Sequence, residues 1–502
     1  MKKRLLALLL CAGMVCAVFV QAAPGVFAEE LAHMQCGENL TAVLNLDTGV
    51  MTFEGTGEFF KKEDGKYVSF EAWADKLKQV VIPEGITCIP YGLFSSCSGL
   101  ERVTLPSTLE TIEFGAFGFC GSLQRIAIPA KVNSIDAAFL GCTGLMQIEV
   151  DPANRAYCSD ADGALYTKDK ATLVAFPAGK TGSYAVANGV KTISQQAFFF
   201  SALSSITLPD TLSTIEYNAF GYCRALVGLI IPAGVTKITA PICAGCEKLS
   251  GIWVDPANKR YANDSVGVLY SKDFSSLIEC PTGLTGKYAV HDGTSLIGLY
   301  AFIGSALTEV TLPNSVTVIE VFAFCGCTGL NEIVIPAGVK EIGDSAFYAC
   351  ENLKAVYFLG NAPETIGAGV FQVYSFDGDI NIPGLTLYYL EGASGWTSPL
   401  WAGYPTATWD GSNLPQTHEH SYTALVIAPT CTSPGYTVHT CSCGDSYQDT
   451  PTDALGHDFH EGTCTRCGAK DPSYKPNDPE TIEFGDVPAS AWYVSAVNYA
   501  VS

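Results

Sequence analysis

Apolar residues along most of this chain return on a period of 23. The segments "VIPEGITCIPYGLFSSCSGLERV", "TLPSTLETIEFGAFGFCGSLQRI" and "AIPAKVNSIDAAFLGCTGLMQI" run head to tail, with Pro83, Pro106 and Pro129 each 23 residues apart. The same interval links Pro209 to Pro232 and Pro313 to Pro336. Each unit opens on Leu-x-x-Ile/Val-x-Ile/Leu-Pro, whose alternation predicts a short strand with its apolar side chains on one face. The proline ends that strand, because it has no N–H to give to a ladder. A short apolar pair ending in Ile follows, then Ala-Phe-x-x-Cys-x-x-Leu. The pairs Ala116-Phe117, Ala219-Phe220, Ala323-Phe324 and Ala346-Phe347 are read as tight turns that drop a ring inward. A unit this small cannot bury its own apolar face, whereas stacked copies share one core. The pattern therefore predicts a repeat solenoid over 80–360, mainly β with short turns or helical turns.

Two coils carry matching insertions, near 151–185 and 255–289. "VDPANRAYCSDADGALYTKDKATLVAFPAG" recurs as "VDPANKRYANDSVGVLYSKDFSSLIECPTG", with Pro152 and Pro256 separated by 104 residues. Pro209 and Pro313 are again 104 apart, so a block of several coils is duplicated. Each insertion is read as a hairpin projecting from the stack. "SDADG" hints at a calcium loop, but no later glutamate follows, and Val266 stands where Asp162 does in the other copy.

These units resemble the BspA-like leucine-rich repeats of bacterial surface proteins. "CGENLTAVLNLDTGVMTFEGTGEF" resembles the family's N-terminal cap segment, placed at 29–79, and "LYYLEGASGWTSPLWAGYP" resembles its closing segment, a cap at 361–411. The resemblance implies an extracellular adhesion or ligand-binding array, with no catalytic residues to carry over. Its partner would be a protein or glycan on a host, on matrix or on neighbouring cells.

In such an array the residues between buried strand positions look outward. One outward column reads Arg102, Arg125, Gln147, Ser205, Gly228, Gly251, Glu309, Glu332 and Ala355. The other reads Thr104, Ala127, Glu149, Thr207, Ile230, Trp253, Thr311, Val334 and Tyr357. Arg102 and Arg125 put positive charge at one end, and Glu309 and Glu332 put negative charge further along. Ile230 and Trp253 should be neighbours on successive rungs, about 4.8 Å apart. Such a pair is an apolar anchor of a binding face, unless an insertion or a terminal segment covers it. The candidate face is Arg102, Arg125, Ile230, Trp253, Glu309, Glu332, Val334 and Tyr357.

Composition fits an exported chain. Lys2, Lys3 and Arg4 precede the apolar run from Leu5 to Val20, and Val26-Phe27-Ala28 offers a cleavage site, so 1–28 reads as a signal peptide. Its removal leaves 25 basic residues (28 minus 3) against 50 acidic ones, a formal charge of −25. Phosphate backbones need a basic face, so nucleic acid is excluded as a partner, and no later segment is apolar enough to span a membrane. Eighteen of the 20 cysteines remain after cleavage. Seven share one repeat position (Cys97, Cys120, Cys142, Cys223, Cys246, Cys327 and Cys350) and are read as inert buried thiols.

From 412 to 471 the period is lost and a Cys/His-rich module begins. "HTCSCGDSY" supplies Cys441-x-Cys443-Gly444, and "GTCTRCGAK" supplies Cys464-x-x-Cys467-Gly468. Two such turns present four thiolates to one zinc, as in a zinc ribbon, with His457 and Cys431 as alternatives for one ligand. Two disulfides are the competing reading outside the cell. Either role is structural. A polar linker (472–483) leads to "FGDVPASAWYVSAVNYAVS" at 484–502, where Phe484, Asp486, Trp492 and Tyr493 resemble the opening of an S-layer homology module. That family binds cell-wall polysaccharide, and only the first part of one copy is present here. No hydrolase, metalloprotease or phosphate-loop motif occurs. The leading expectation is a non-enzymatic surface binder held to the wall. Its rivals are an array that positions a catalytic domain encoded beyond residue 502, and a plain scaffold.

Overall fold

The computed structural model describes residues 31–60, 68–376, 378–412, 422–431, 434–441, 446–460, 463–467 and 469. The signal segment and the stub at 484–502 lie outside them. Two compact units emerge, one holding the repeats and the other holding 424–439 and the described residues from 448 onward.

In the repeat unit every coil contributes two strands. The Leu-x-x-Ile-x-Ile stretch forms a broad row of parallel strands, such as Gln79–Val81 beside Arg102–Thr104 and Arg125–Ile128 beside Gln147–Val150. The short apolar pair forms a narrow row of two-residue strands, again parallel: Cys88–Ile89, Thr111–Ile112 and Ser134–Ile135 in one run. Thr192–Ile193, Thr214–Ile215 and Lys237–Ile238 make another. Glu71–Trp73 is the only helical segment among the described residues, a single 3-10 turn.

Between the rows runs a ladder of phenylalanines. Phe70, Phe94 and Phe117 stack at 5.3 and 5.4 Å, and Phe302, Phe324 and Phe347 at 4.7 and 4.8 Å. All six rings are fully buried. Each Ala-Phe turn lies between two left-handed residues, for example Asn218 (φ 50°) before Ala219-Phe220 and Tyr222 (φ 57°) after. Successive turns also bond to one another, as where Phe198 and Phe220 N–H donate to Ala219 and Ile242 C=O.

The repeated cysteine follows the second left-handed residue, and each of the seven thiols is buried and unbridged. Each donates to the carbonyl of a phenylalanine one coil back: Cys142 to Phe117 and Cys223 to Phe198 at 3.0 Å, Cys350 to Phe324 at 3.1 Å. That carbonyl already accepts the N–H of its own coil's cysteine, as Phe324 does from Cys327. Cysteine here is a hydrogen-bond donor as well as a small apolar filler. Burial pushes the Cys97 thiol up to about 12 and raises Cys223 and Cys327 likewise. All seven thiols are closed off from solvent, so they should stay unlabelled by iodoacetamide at pH 8 in the native chain and react fully after denaturation, as read by peptide mass spectrometry. Native labelling of Cys223 or Cys327 would contradict the burial.

The insertions do not project. Tyr157–Ser159, Leu165–Thr167 and Thr172–Ala175 form an antiparallel meander, and its last strand pairs in parallel with Thr192–Ile193. The meander thus joins the narrow row, with Leu165 and Tyr166 fully buried. The Tyr166 and Tyr184 hydroxyls meet at 2.5 Å, and Tyr184 donates to Asp160 at 2.6 Å. Tyr270, Tyr288 and Asp264 repeat this in the second copy, at 2.5 and 2.7 Å. The first aspartate of "SDADG", Asp160, therefore anchors a buried tyrosine pair, while Asp162 pairs with Lys180.

One coil departs from the rule. At 240–243 the Ala-Phe turn reads Ala-Pro-Ile-Cys, and no ring continues the stack past Phe220. Instead the Ile242 and Cys243 N–H groups each donate at 2.7 Å to one oxygen of the Glu279 carboxylate, which is buried in the second insertion.

At the N-terminal end, Leu31–Gly37, Asn39–Asn45 and Val50–Thr56 form an antiparallel meander whose last strand pairs in parallel with the first rung, Gln79–Val81. At the other end the rungs do not stop at 360. Thr386–Leu390 pairs in parallel with Ala355–Phe358, and Tyr404–Trp409 pairs in parallel with Thr386–Leu390. The closing segment has lost the 23-residue spacing, yet its strand still alternates, with Leu387 and Tyr389 buried.

Candidate functional site

The outward face of the broad row is the first candidate. Its registers pair Ile230 with Trp253, Lys287 with Glu309, Glu332 with Ala355 and Val334 with Tyr357. Ile230 is 64% exposed and Trp253 is 39% exposed, with Val227 exposed on the adjoining turn. Among the described residues neither an insertion nor a terminal segment hides them. The Trp253 ring lies along the Gly251 backbone, where a Cβ would meet the ring at 2.8 Å. Glycine at 251 therefore gives the indole a bed and leaves its other face to solvent. That role is invisible in a column that reads simply Gly.

The charged positions are less free than their column suggests. Arg125 pairs with Glu149 at 3.3 Å, one rung away, and Glu309 pairs with Lys287 at 2.7 Å. Lys287 comes from the second insertion and is not in either outward column. Glu309 raises the Lys287 pKa through that hydrogen bond. Arg102 and Glu332 remain exposed. Val334, read as outward, is instead buried to 9% exposure. Tyr357, its neighbour, is half-buried, because Tyr388 stacks on it at 5.1 Å and Trp409 meets it edge-on at 5.3 Å. The extra rungs after 360 supply those two rings and close this end of the face. A small hollow lined by Glu309, Thr311, Glu332 and Val334 lies beside it.

The second candidate lies in the C-terminal unit. Phe459–His460 and Thr463–Cys464 form a short antiparallel hairpin, after which the chain turns through Cys467. Thr465 N–H donates to Asp458 C=O at 2.9 Å and Cys464 N–H to Ala469 C=O at 2.8 Å, so the Cys-x-x-Cys turn folds back on the hairpin. Leu455 N–H donates to Thr430 C=O at 2.8 Å and ties in the loop that bears Cys431. The ligand atoms of Cys431, His457, Cys464 and Cys467 all lie within 4.8 Å of one another, an arrangement that can hold a metal ion. Burial works against the Cys464 thiolate, but the His457 contact and the backbone groups of Arg466, Asp458 and Cys467 together bring its pKa down to about 5. Of the four thiols expected from sequence, Cys464 and Cys467 are in this cluster. Cys443 and the Cys441 side chain lie outside the described residues. The two residues named as alternatives, Cys431 and His457, complete the set.

No catalytic constellation forms among the described residues; His291 stacks on Phe274 at 4.4 Å within the second insertion. No helix among them is long and apolar enough to cross a membrane.

The family description "BspA type leucine rich repeat region" matches this chain in six copies, over residues 66–161, 174–266 and 295–392. No curated protein matches it. Among solved structures, a leucine-rich repeat protein from Eubacterium ventriosum is 23% identical, with 70% of this chain and 100% of that one covered and a TM-score of 0.41. A leucine-rich cell surface protein from Faecalibacterium prausnitzii is 22% identical, with 74% and 97% covered and a TM-score of 0.41. The pneumococcal vaccine antigen PcpA is 20% identical, with 72% and 94% covered and a TM-score of 0.36.

Proposed function

The chain belongs to the BspA-type leucine-rich repeat family, and on that premise we propose that it is a non-enzymatic surface or secreted protein whose solenoid binds a macromolecular ligand. The observation that carries this reading is the Ile230–Trp253 pair: an exposed aromatic and an exposed aliphatic residue on neighbouring rungs of a rigid face. A large apolar side chain left in water on a stiff scaffold costs nothing further to order on binding, which is what a hot-spot residue needs. Arg102 and Glu332 flank the patch at a distance along the row and set orientation more than affinity. The ligand is a protein or glycan of a host, of matrix or of neighbouring cells. The Cys/His-rich module serves as a spacer. The segment bearing Phe484, Asp486, Trp492 and Tyr493 resembles the start of an S-layer homology module, and we read it as part of an attachment to cell-wall polysaccharide.

The test uses the labelled full chain on arrays of glycans and extracellular-matrix proteins. Trp253→Ala and Ile230→Glu should each weaken a captured target by about 2 kcal/mol, roughly thirtyfold in Kd, with circular dichroism unchanged. Targets bound equally by wild type and both variants would remove this patch from the binding face. Wall attachment is tested separately, by co-sedimentation of the chain with purified cell walls before and after their polysaccharide is stripped.

A further inference from the structure

We propose that Cys431, His457, Cys464 and Cys467 form a tetrahedral Cys3His site for one zinc ion, and that this ion takes the place of a hydrophobic core among the described residues of the C-terminal unit. The spacing of the donors supports the metal. Zinc binds sulfur at about 2.3 Å and imidazole nitrogen at about 2.0–2.1 Å, so a regular tetrahedron has S···S edges of about 3.8 Å and S···N edges of about 3.5 Å. Cys431 and Cys464 Sγ are 3.7 Å apart, and Cys467 Sγ is 3.4 Å from His457 Nδ1. A disulfide needs about 2.05 Å between sulfurs, far shorter than the 3.7 Å observed. It would also leave one thiol and the imidazole of a converging set of four unused.

The surroundings point the same way. In this unit the buried apolar side chains among the described residues are Cys431 and Cys464, two of the proposed ligands. Leu425, Val426 and Leu455 are exposed. A short unit with little apolar interior needs a cross-link or a metal to fold, and among the described residues here the one buried side-chain centre is the donor cluster itself. The frame around it is fixed by the protein. Arg466, inside the Cys-x-x-Cys turn, donates to the carbonyls of Leu455 at 3.0 Å and Gly456 at 3.2 Å, which holds the stretch leading into His457. The His457 ring stacks on Phe459 at 5.1 Å, which sets its plane. Such outer contacts orient ligands before the metal arrives. Three thiolates and a neutral imidazole around one dication leave a closed, coordinatively saturated site, so the role is structural.

The experiment measures zinc by mass spectrometry on the full chain recovered from an oxidising secretory compartment, with zinc K-edge absorption to read the ligand set. Wild type should carry about one equivalent with three sulfurs and one nitrogen at the distances above. Cys431→Ser, Cys464→Ser and Cys467→Ser should each lose at least four-fifths of that zinc, and His457→Ala should lose most of it or change the spectrum. The Cys441→Ser/Cys443→Ser double variant should keep the full equivalent and the same spectrum. A four-sulfur spectrum, or zinc lost on changing Cys441 and Cys443 but kept without Cys431, would overturn the assignment in favour of a ribbon site. Metal-free chain with Cys431, Cys464 or Cys467 in disulfides by peptide mapping would overturn the metal altogether. Circular dichroism of the repeat unit is the control that each variant is folded.

Discussion

Phe324→Ala should destabilise the solenoid by about 3–5 kcal/mol, the usual range for deleting a buried ring. The position is the most demanding of the ladder. Phe324 is fully buried and stacked on both sides, at 4.7 Å to Phe302 and 4.8 Å to Phe347. Its carbonyl accepts the Cys327 N–H and the Cys350 thiol, so collapse of the turn to fill the void would break bonds to the next coil. Phe324→Leu should recover most of the loss and leave a deficit of about 1–3 kcal/mol from two aromatic contacts, each about 0.5–1.5 kcal/mol. Phe220→Ala should cost less than Phe324→Ala, because Phe220 stacks on Phe198 at 5.4 Å while the matching position of the next coil is Cys243, which offers no ring. In a repeat array each coil is stabilised by its neighbours. The void at 324 should therefore split the guanidinium unfolding curve of the repeat unit into two steps, with amides of the flanking coils exchanging first. A single transition shifted by less than about 1 kcal/mol would show that the ring stack is not what couples the coils.

The period of 23 made the solenoid legible, because a recurrent buried position imposes a recurrent residue. The rings at 117, 220, 324 and 347 and the two rows of strands follow from it directly. What escaped the sequence depended on contacts between segments without the period. The insertions look like hairpins because their strands are short and bounded by turn residues. Leu165 and Tyr166 bring them into the stack, and the partner that satisfies the Tyr166 hydroxyl, Tyr184, lies 18 residues on. Val334 keeps an outward register position but is buried beside Tyr357, whose ring is itself packed by Tyr388 and Trp409 from rungs that no longer repeat. The apolar anchor at Ile230 and Trp253 was readable from register alone, whereas the Gly251 bed beneath the indole was not. At the cysteine-histidine cluster the Cys-x-x-Cys turn announced two ligands. Placing Cys431, 33 residues away, beside Cys464 required the fold.

Glu279→Gln should gain stability relative to the wild type as pH rises, and the size of that crossover measures how deeply the acid is buried. Burial raises the Glu279 pKa from 4.5 to about 7, opposed by the two N–H donors of Ile242 and Cys243. Those donors reach both carboxylate oxygens at 2.7 Å, so the geometry favours the charged form, yet the loss of water outweighs them. The sign follows from linkage. An acid with a raised folded pKa gives its full contribution below the unfolded value near 4.5 and loses it as pH climbs through about 7. At about 1.4 kcal/mol per pKa unit the swing is about 3 kcal/mol. Glutamine cannot titrate, but its amide turns an N–H toward one of the two backbone donors. It should therefore be the less stable protein at pH 4.5 and draw level or better by pH 8. Glu279→Ala leaves two buried N–H groups unmet, at about 1–3 kcal/mol each, and should be destabilised at both pH values with no pH dependence from this site. The acid caps the turn in which Ile242 and Cys243 stand where the preceding coil has Ala219 and Phe220, and its two oxygens accept the N–H groups of both. If urea midpoints for wild type and Glu279→Gln run parallel from pH 4.5 to 8, the carboxyl is ionised throughout, and the two donors rather than burial govern it.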